Sequence, residues 1–505
     1  MQSKTKQFYR YALFLIGVVF YILPTFNTEN DILYVISPWI YITSFLYYTR
    51  TIERKREWGI FSFVFLTAHE FRYSGFLGDT AAYFDFISML LIILIAAATI
   101  IPYFVDLFYL KRGNGFLKVF AFPFTRVLAE RIIVGQQFNL SLSQFGNKYL
   151  LQTVSIFGDV IISFMVTFIP SVIVYMIVKK DNKKMVRYGC IALTVFALLM
   201  GYGAARYHLS GRAADRIRMA YATGPRKTYY EEPSEVDPTY DESLEYMKRT
   251  ATEAAANGAE LIAYAEEAFI IDNDEKQSFL DEVSKVAREN NIFMLVCLDI
   301  DGGEDMFYNT AVFIDNKGEF LSDYTKYYLI PVIETSEYVG GKGEIPSNHV
   351  IIGGKEHVIS YSICYDATYT SYLASMDKKT DIYINPSWDW EEIDDLNYRM
   401  QGMSAVAAGV ELFKPTVDGW SMVTNPYGRV TYKESTLRGD YDKVYYAEVS
   451  PCRTFTLYKF HTPLFLVIWT LLVGFMLFDM CRIMIKSIKA MRKKKAEAKA
   501  EAKTE

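Results

Sequence analysis

Three reactive side chains, a carboxylate, an amine and a thiol, follow one another in the chain in an order that could support covalent catalysis. The carboxylate and the thiol come after apolar segments, and the amine lies within an aromatic one. Cys364 follows an apolar run, and polar residues come directly after it. Glu266 and Glu267 end an earlier apolar run, and Lys326 lies in an aromatic stretch. A neutral thiol is a weak nucleophile and needs a base, while an ammonium group can stabilise an oxyanion. These side chains therefore predict nucleophilic attack on a carbonyl group.

A carboxylate is a better candidate than a histidine for the base. His349 and His357 belong to no motif at a strand end, and a papain-like order would leave only His461 downstream. Partial burial at the end of an apolar strand would raise the pKa of Glu266 toward the working pH. We therefore expect Glu266 to act as the base and Lys326 to lie beside the oxyanion.

Each of these residues also has a non-catalytic interpretation. A cysteine at a strand end can be a small core residue. A glutamate pair before a helix can complement the helix dipole, and a lysine among tyrosines can be a surface residue with a packed stem. The catalytic interpretation depends on the three side chains meeting in one place.

The elements that must position these residues alternate between strand and helix from about residue 215 to 452, which predicts one α/β domain. Predicted strands cover 216–222, 261–265, 292–298, 310–314, 358–363, 381–384, 420–424 and 444–449, and predicted helices cover 241–257, 276–290 and 403–410. Asp241 is expected to cap the first helix. Glu266, Cys364 and Asn385 fall just past strand ends, where open α/β sheets build their sites.

Long apolar segments on both sides of this domain predict a membrane protein. A helix needs roughly 20 apolar residues to cross a bilayer. Candidate spans are 9–26, 31–49, 58–76, 82–109, 117–135, 149–178, 187–206 and 462–484. Every second connection is rich in Lys and Arg, which predicts that both termini lie in the cytoplasm. We interpret the first span as a retained anchor, since it lacks a small-residue cleavage signal.

The spans divide the chain into four parts. We expect a seven-helix transmembrane domain at 1–209, a catalytic domain at 210–455, a C-terminal transmembrane helix at 456–485 and a basic, mixed-charge cytoplasmic tail at 486–505. Seven spans before the catalytic domain would place it outside the cytoplasm.

The fifth span is interrupted by Arg126, Glu130 and Arg131. Charges at this depth usually face a protein interior or a wet cavity. The alternative is a helix end near the interface, with Arg126 and Glu130 paired at i, i+4. The sequence leaves both interpretations open.

Composition excludes several other classes of site. The formal net charge of -5 gives no reason to expect nucleic acid as a partner. The five cysteines are scattered, and no spacing predicts a disulfide framework or a zinc site. We expect neither a metal nor a cofactor.

The segments around these residues resemble the nitrilase superfamily, which uses a Glu–Lys–Cys triad on an α-β-β-α sandwich. The segment 261–266 is similar to an apolar strand ending in Pro-Glu, with Ala265 in place of the proline. The segments 324–331 and 363–366 are similar to the lysine and nucleophile motifs, with Asp366 where glutamate is more common. The segment 381–388 resembles the strand that closes the pocket. The resemblance implies that Glu266, Lys326 and Cys364 form the triad.

A nitrilase domain between seven spans and an eighth is similar to the plan of the apolipoprotein N-acyltransferase family. That resemblance implies acyl transfer from a phospholipid, through a cysteine thioester, to the N-terminal amine of a diacylglyceryl-cysteine lipoprotein. It implies location in a bacterial plasma membrane, with phospholipid, lipoprotein and bilayer as partners. The supporting or substrate-positioning residues that it implies are Glu334, Tyr365, Asp366, Asn385, Ser387 and Trp388.

Other features depart from that family and keep alternatives open. The segment 331–335 differs from its usual continuation of the lysine motif, and Asn385-Pro386-Ser387-Trp388 is closer to soluble nitrilases. No tryptophan occurs early in the domain, where Tyr229 or Tyr230 could replace it. An amidase, a hydrolase or another envelope acyltransferase is therefore the alternative function. A non-catalytic domain that binds partners is a third.

Overall fold

The computed structural model describes residues 2–26, 31–73, 85–112, 115–134, 139–178, 183–211, 215–225, 238–303, 306–331, 333–391, 393–439 and 441–501. Tyr229 and Tyr230 lie outside these residues. The N-terminal part is helical, with α1 Gln2–Ile22, α2 Asp31–Arg50, α3 Lys55–Tyr73, α4 Asp85–Arg112, α5 Ala121–Ala129, α6 Val154–Phe157, α7 Val160–Val178 and α8 Lys183–His208.

Five helices of the described residues are long and apolar enough to cross a membrane. They include Gln7–Phe26, Asp31–Arg50, Ile93–Arg112, Val160–Val178 and Met185–His208. The third, fifth and eighth predicted spans are also helical, but they are not among these five and stay predictions. In the fifth, α5 is flanked by the 3-10 helix Gly115–Phe120 and the π-helix Glu130–Val134.

The predicted sixth span is divided at Gly158. This residue has a φ of 74° and separates α6 from α7. A Cβ atom at Gly158 would lie 2.6 Å from the ring of Tyr458 in the last helix. The break therefore depends on both the left-handed backbone and the close approach that glycine permits.

The remaining chain alternates between strands and helices. In chain order these are β1 Ile217–Ala222, α9 Tyr240–Ala256, β2 Leu261–Tyr264, β3 Phe269–Asp272, α10 Lys276–Asn290, β4 Phe293–Asp301, β5 Phe307–Ile314, β6 Phe320–Thr325, β7 Ser347–Ile352, β8 Lys355–Tyr361, α11 Thr370–Leu373, β9 Ile382–Ile384, β10 Ser387–Trp388, α12 Asp394–Ala408, β11 Glu411–Lys414, β12 Thr416–Val417, β13 Trp420–Thr424, β14 Val430–Ser435, β15 Tyr445–Val449 and α13 Leu457–Glu501. The predicted cap Asp241 is wrong, because Thr239 caps α9 through a reciprocal pair of contacts with Glu242.

Two mixed sheets form the centre of this part. One has the order β15-β1-β2-β4-β5-β6, with β3 also paired to β4, and the other has the order β14-β13-β11-β9-β8-β7. The pairs β1–β2, β2–β4, β8–β9 and β9–β11 are parallel. Parallel strands covered on both faces need continuous apolar sequence, and all four residues of β2 are buried.

The two sheets pack face to face and have a helix layer on each outer side. Apolar residues of both inner faces form one core, including Leu261 and Ile359. The outer face of the first sheet packs against α9 and α10. The outer face of the second packs against α12, and this core continues into the membrane helices, including Leu412 and Leu151. The predicted α-β-β-α sandwich is confirmed, and its second helix layer is shared with the membrane part.

Candidate active site

Cys364 lies three residues beyond β8, at the start of the 3-10 helix Cys364–Thr368. Its φ is 43°, a left-handed conformation that costs a non-glycine residue about 1–3 kcal/mol. Neighbouring residues hold this backbone in place. The Cys364 N–H donates to the carbonyl oxygen of Pro386 (2.8 Å), and Nε2 of Gln401 donates to the carbonyl oxygen of Cys364 (3.2 Å). The thiol lies 3.8 Å from the carbonyl oxygen of Trp388.

Glu266 follows the end of β2 and is buried beside this thiol. Its Oε1 accepts hydrogen bonds from Nζ of Lys326 (2.7 Å) and Nδ2 of Asn309 (2.8 Å). Its Oε2 accepts one from the backbone N–H of Trp388 (2.7 Å). Glu267 reaches the same asparagine at 3.0 Å. The structure therefore places Glu266, the expected member of the pair, against the lysine.

Lys326 follows β6 and is buried between two carboxylates. Its Nζ lies 2.7 Å from Oε1 of Glu266 and 2.5 Å from Oε1 of Glu334. Glu334 is fixed by its second oxygen, which accepts from the N–H of Ile330 at 2.8 Å. Glu334, predicted to support the lysine, is therefore in direct contact with it.

Burial and charge set the protonation states of this group. Burial raises the pKa of Glu266, and Lys326 acts against that shift. Burial also raises the pKa of Cys364 well above its usual range; Glu266 raises it further and Lys326 lowers it. Burial alone would lower the pKa of Lys326, but Glu266 and Glu334 outweigh this effect and raise it. The lysine is therefore an ammonium ion beside a neutral thiol, which needs a base during attack.

Asp366 organises the turn that carries the cysteine. It is fully buried and accepts hydrogen bonds from the Tyr324 hydroxyl (2.7 Å), the Tyr328 N–H (2.7 Å) and the Ile363 N–H (3.2 Å). Burial raises its pKa to about 7, and these donors oppose the shift.

Tyr365, the next residue after Cys364, accepts a hydrogen bond from Tyr369 at 3.3 Å.

The three predicted residues after β9 have different positions. Asn385 is buried, and its Nδ2 donates to the carbonyl oxygen of Ser362 at 2.8 Å. The Ser387 hydroxyl donates to Asn385 at 3.2 Å. Trp388 contributes its backbone N–H to Glu266. The side chains of Asn385 and Ser387 thus brace the backbone, and Trp388 contacts the acid through its main chain.

Sequence reasoning missed several polar residues around the site. Asn309 lies in β5 and Gln401 in α12, and both contact the predicted triad residues. Asp389, which directly follows Trp388 in the chain, forms a fully buried ion pair with Lys414. None of these residues follows the end of a strand that the sequence predicts. The one available signal was the presence of charged or amide residues inside otherwise apolar segments.

The turn after the cysteine is also joined to the membrane helices. The Thr370 hydroxyl donates to Oδ1 of Asp159 at 2.7 Å. Asp159 also accepts from Asn139 (3.1 Å) and forms an ion pair with Arg131. Arg126 and Glu130 are paired at 3.0 Å, and Arg126 also lines a cavity. The position of this pair relative to the membrane interface stays a prediction.

Comparison with known proteins identifies the domain that holds these residues. The carbon-nitrogen hydrolase family matches residues 231–451. An apolipoprotein N-acyltransferase of Pseudomonas putida is 22% identical over 39% of this chain and 42% of its own length. Another, from Brucella melitensis, is 23% identical over 66% of this chain and 69% of its own length. A deaminated glutathione amidase of Dictyostelium discoideum is 25% identical over 32% of this chain and 62% of its own length.

The chain thus spans less than half the length of the Pseudomonas relative. Among solved structures, an amidase from Nesterenkonia sp. is 17% identical, with a TM-score of 0.40, and the match covers 52% of this chain and 99% of the amidase.

Proposed function

We propose that this chain, a nitrilase-superfamily enzyme similar to apolipoprotein N-acyltransferases, transfers a fatty acyl group from phospholipid to the N-terminal amine of diacylglyceryl-cysteine lipoproteins. One observation carries the proposal. A buried acid, ammonium group and thiol converge in a domain whose core continues into apolar helices. The proposed donor and acceptor are both lipids, which accounts for the membrane part.

In the first step Glu266 takes the thiol proton while Cys364 attacks the acyl ester. The C–S bond forms, and the carbonyl oxygen becomes an oxyanion that the Lys326 ammonium stabilises. The intermediate then expels the lysophospholipid alkoxide, which receives the proton from Glu266. Glu334 keeps Lys326 in position and charged. A thioester on Cys364 remains.

In the second step the lipoprotein α-amine attacks the thioester. Its proton passes to Glu266, the amide bond forms, and the C–S bond breaks as the thiolate leaves. The thiolate regains its proton from Glu266. We propose supporting roles for Tyr365, Asp366, Asn385, Ser387 and Trp388.

We also propose that the chain consists of a transmembrane domain at 1–209, a catalytic domain at 210–455, a transmembrane helix at 456–485 and a cytoplasmic tail at 486–505. The catalytic domain lies outside the cytoplasm in this arrangement.

The alternative is an amidase or hydrolase in which water resolves the thioester. The segment Asn385-Pro386-Ser387 and the amidase among the relatives favour it. Glu266, Lys326 and Cys364 would again act as base, oxyanion stabiliser and nucleophile. The acceptor for the acyl group separates the two functions.

The test uses the full-length protein with a phospholipid and a diacylated lipopeptide. We expect an N-acylated lipopeptide, and a Cys364 acyl adduct by intact mass when the lipopeptide is left out. Cys364→Ala should lower transfer by about 10³-fold or more, whereas Cys452→Ala, a control at a half-buried cysteine, should leave it unchanged. Release of free fatty acid or ammonia without an N-acylated product would assign the hydrolase function instead.

A further inference from the structure

A small polar cavity lies where the membrane helices meet the α/β domain. Its lining includes Tyr21 of α1, Arg72 of α3, Arg126 of α5 and Leu396 of α12. The cavity has a volume of about 40 Å³, whereas roughly 10–15 Å³ admits one water molecule. It can therefore hold a compact polar group larger than a single water.

The lining carries an excess of positive charge. Arg72 and Arg126 both line the cavity, and within the part of the chain that the structure describes no carboxylate does. Arg126 is neutralised by Glu130, at 3.0 Å. Arg72 instead donates to the carbonyl oxygen of Tyr21 (2.9 Å) and lies over its ring (4.9 Å). Among the described residues no carboxylate pairs with Arg72 at this cavity, and a buried guanidinium without a counter-ion is costly, so its position favours an anion.

His69 supplies a second polar group to the same cavity. Its side chain is buried, and its Nδ1 is 2.5 Å from the hydroxyl of Tyr21. Its Nε2 is buried with no hydrogen-bond partner among the described residues. When the Tyr21 hydroxyl donates to Nδ1, Nε2 carries the proton and is a free donor. Buried polar groups are normally paired, so an unpaired donor in a cavity indicates a missing acceptor.

We propose that this cavity binds a phosphate-type anion, the phosphodiester of a glycerophospholipid, through Arg72 and His69. Guanidinium groups match the geometry and charge of phosphate oxygens. The phosphate occupies the cavity, and the rest of the lipid extends from it.

The role of the site in acyl transfer rests on the proposed function. Helix α12 runs from Leu396, at the cavity, to Gln401, whose Nε2 donates to the carbonyl oxygen of Cys364. Five residues of helix correspond to about 7.5 Å. A phospholipid held by its phosphate would therefore have its acyl esters within a short distance of the thiol.

The test measures binding separately from turnover, in the full-length Cys364→Ala protein. Native mass spectrometry would compare a short-chain phosphatidylglycerol with a diacylglycerol of the same chains. We expect phosphatidylglycerol to bind at least about tenfold more tightly, and Arg72→Gln to remove that preference. Arg56→Gln, at the exposed opposite end of α3, should leave it unchanged. Equal phosphatidylglycerol affinity in the Arg72→Gln and parent proteins would overturn the proposal.

Two further arms identify the ligand and control for folding. Inorganic phosphate that displaces phosphatidylglycerol only at high concentration supports the lipid assignment; tighter binding of inorganic phosphate than of lipid would overturn it. Arg72→Lys keeps the charge without the forked donors, so we expect an intermediate phospholipid affinity and unchanged diacylglycerol binding.

Cys364 acylation in the otherwise native chain distinguishes this site from the proposed function. Phospholipid binding that depends on Arg72, without acylation of Cys364, would reject the function and keep the site. Acylation that is equally fast in the Arg72→Gln protein at low phospholipid concentration would keep the function and reject the site.

Discussion

The reactivity of Cys364 depends on two opposite charges next to its thiol. Burial and the carboxylate of Glu266 raise the pKa of the thiol, and the ammonium of Lys326 lowers it. Because Glu266 has three hydrogen-bond donors, it is held as an acceptor even though it is buried. The arrangement favours a protonated thiol beside the carboxylate that the proposed mechanism uses as its base.

Glu266→Gln should separate thiolate formation from catalysis. Removing this carboxylate lowers the pKa of Cys364, because Lys326 stays while the opposing charge is lost. The pH midpoint of Cys364 alkylation by iodoacetamide, followed by intact mass, should therefore move to lower pH. Under the proposed function, acyl transfer should nevertheless fall by about 10²–10⁴-fold, since Glu266 is the general base of that mechanism.

Glu267→Gln is the matched control for this substitution. Glu267 shares Asn309 with Glu266 but does not contact Lys326 through any of its described hydrogen bonds. Its loss should leave the alkylation midpoint in place. A midpoint that stays fixed or rises in Glu266→Gln would show that the carboxylate does not act on the thiol.

The short strand β10 and its flanking residues connect Glu266 and Cys364 to the second sheet. Pro386 accepts a hydrogen bond from Cys364, and Trp388 donates one to Glu266. The following residue, Asp389, is paired with Lys414 of β11 and accepts a hydrogen bond from Asn397 at 2.7 Å. The ion pair therefore fixes the segment that contacts both Glu266 and Cys364.

Removing one partner of this pair should be strongly destabilising. Lys414→Met leaves Asp389 buried without its counter-ion, which typically costs about 3–5 kcal/mol. We expect the double variant Asp389→Asn/Lys414→Met to recover much of that loss. Denaturant unfolding of the purified protein measures both values. A Lys414→Met protein as stable as the parent would indicate that the pair contributes little.

The sequence predicts the elements with a clear apolar or helix-forming pattern. It misses the short central strand β11, which Glu411 and Lys414 interrupt, and most strands at the sheet edges. The bounds of α10 and β13 agree with the prediction, and β2 differs by one residue, because apolar or helix-forming patterns define them clearly. Strands β7 and β14 were missed because they lie at or near a sheet edge and alternate polar with apolar residues. Strand β6 was missed for the same reason.

The site was predictable where a residue ends a buried strand or lies in a motif that resembles the nitrilase superfamily. Glu266 and Cys364 carry the first signal, and Lys326 carries the second. Asn309 and Gln401 carry neither, because they reach the site from the side of a strand and from a helix. Their approach depends on the packing of elements far apart in the chain, which no local pattern contains.

Helix α12 of the α/β domain also packs against the N-terminal helices. Arg399 of this helix is fully buried and pairs with Asp395 (2.9 Å) and with Asp31 at the start of α2 (2.7 Å). Its guanidinium also lies 4.5 Å from the ring centre of Tyr34. The sequence does not predict these contacts, because the predicted helix covers only 403–410 and leaves Asp395 and Arg399 outside it. These contacts of Arg399 fix the orientation of the α/β domain relative to the N-terminal helices.

The distribution of basic residues predicts the side of the membrane on which the α/β domain lies. Basic residues are concentrated in alternate connections and after the last span, which should retain those segments in the cytoplasm. We expect a cysteine introduced at exposed Glu356 in the domain to react with an impermeant maleimide in right-side-out membrane vesicles, and one at exposed Lys489 to react only in inside-out vesicles. Cys190→Ser and Cys481→Ser remove the exposed native thiols, and that background should stay unlabelled. Because an odd number of crossings must separate the two positions, labelling of both from one side would contradict the eighth span and return the domain to the side of the C-terminal tail.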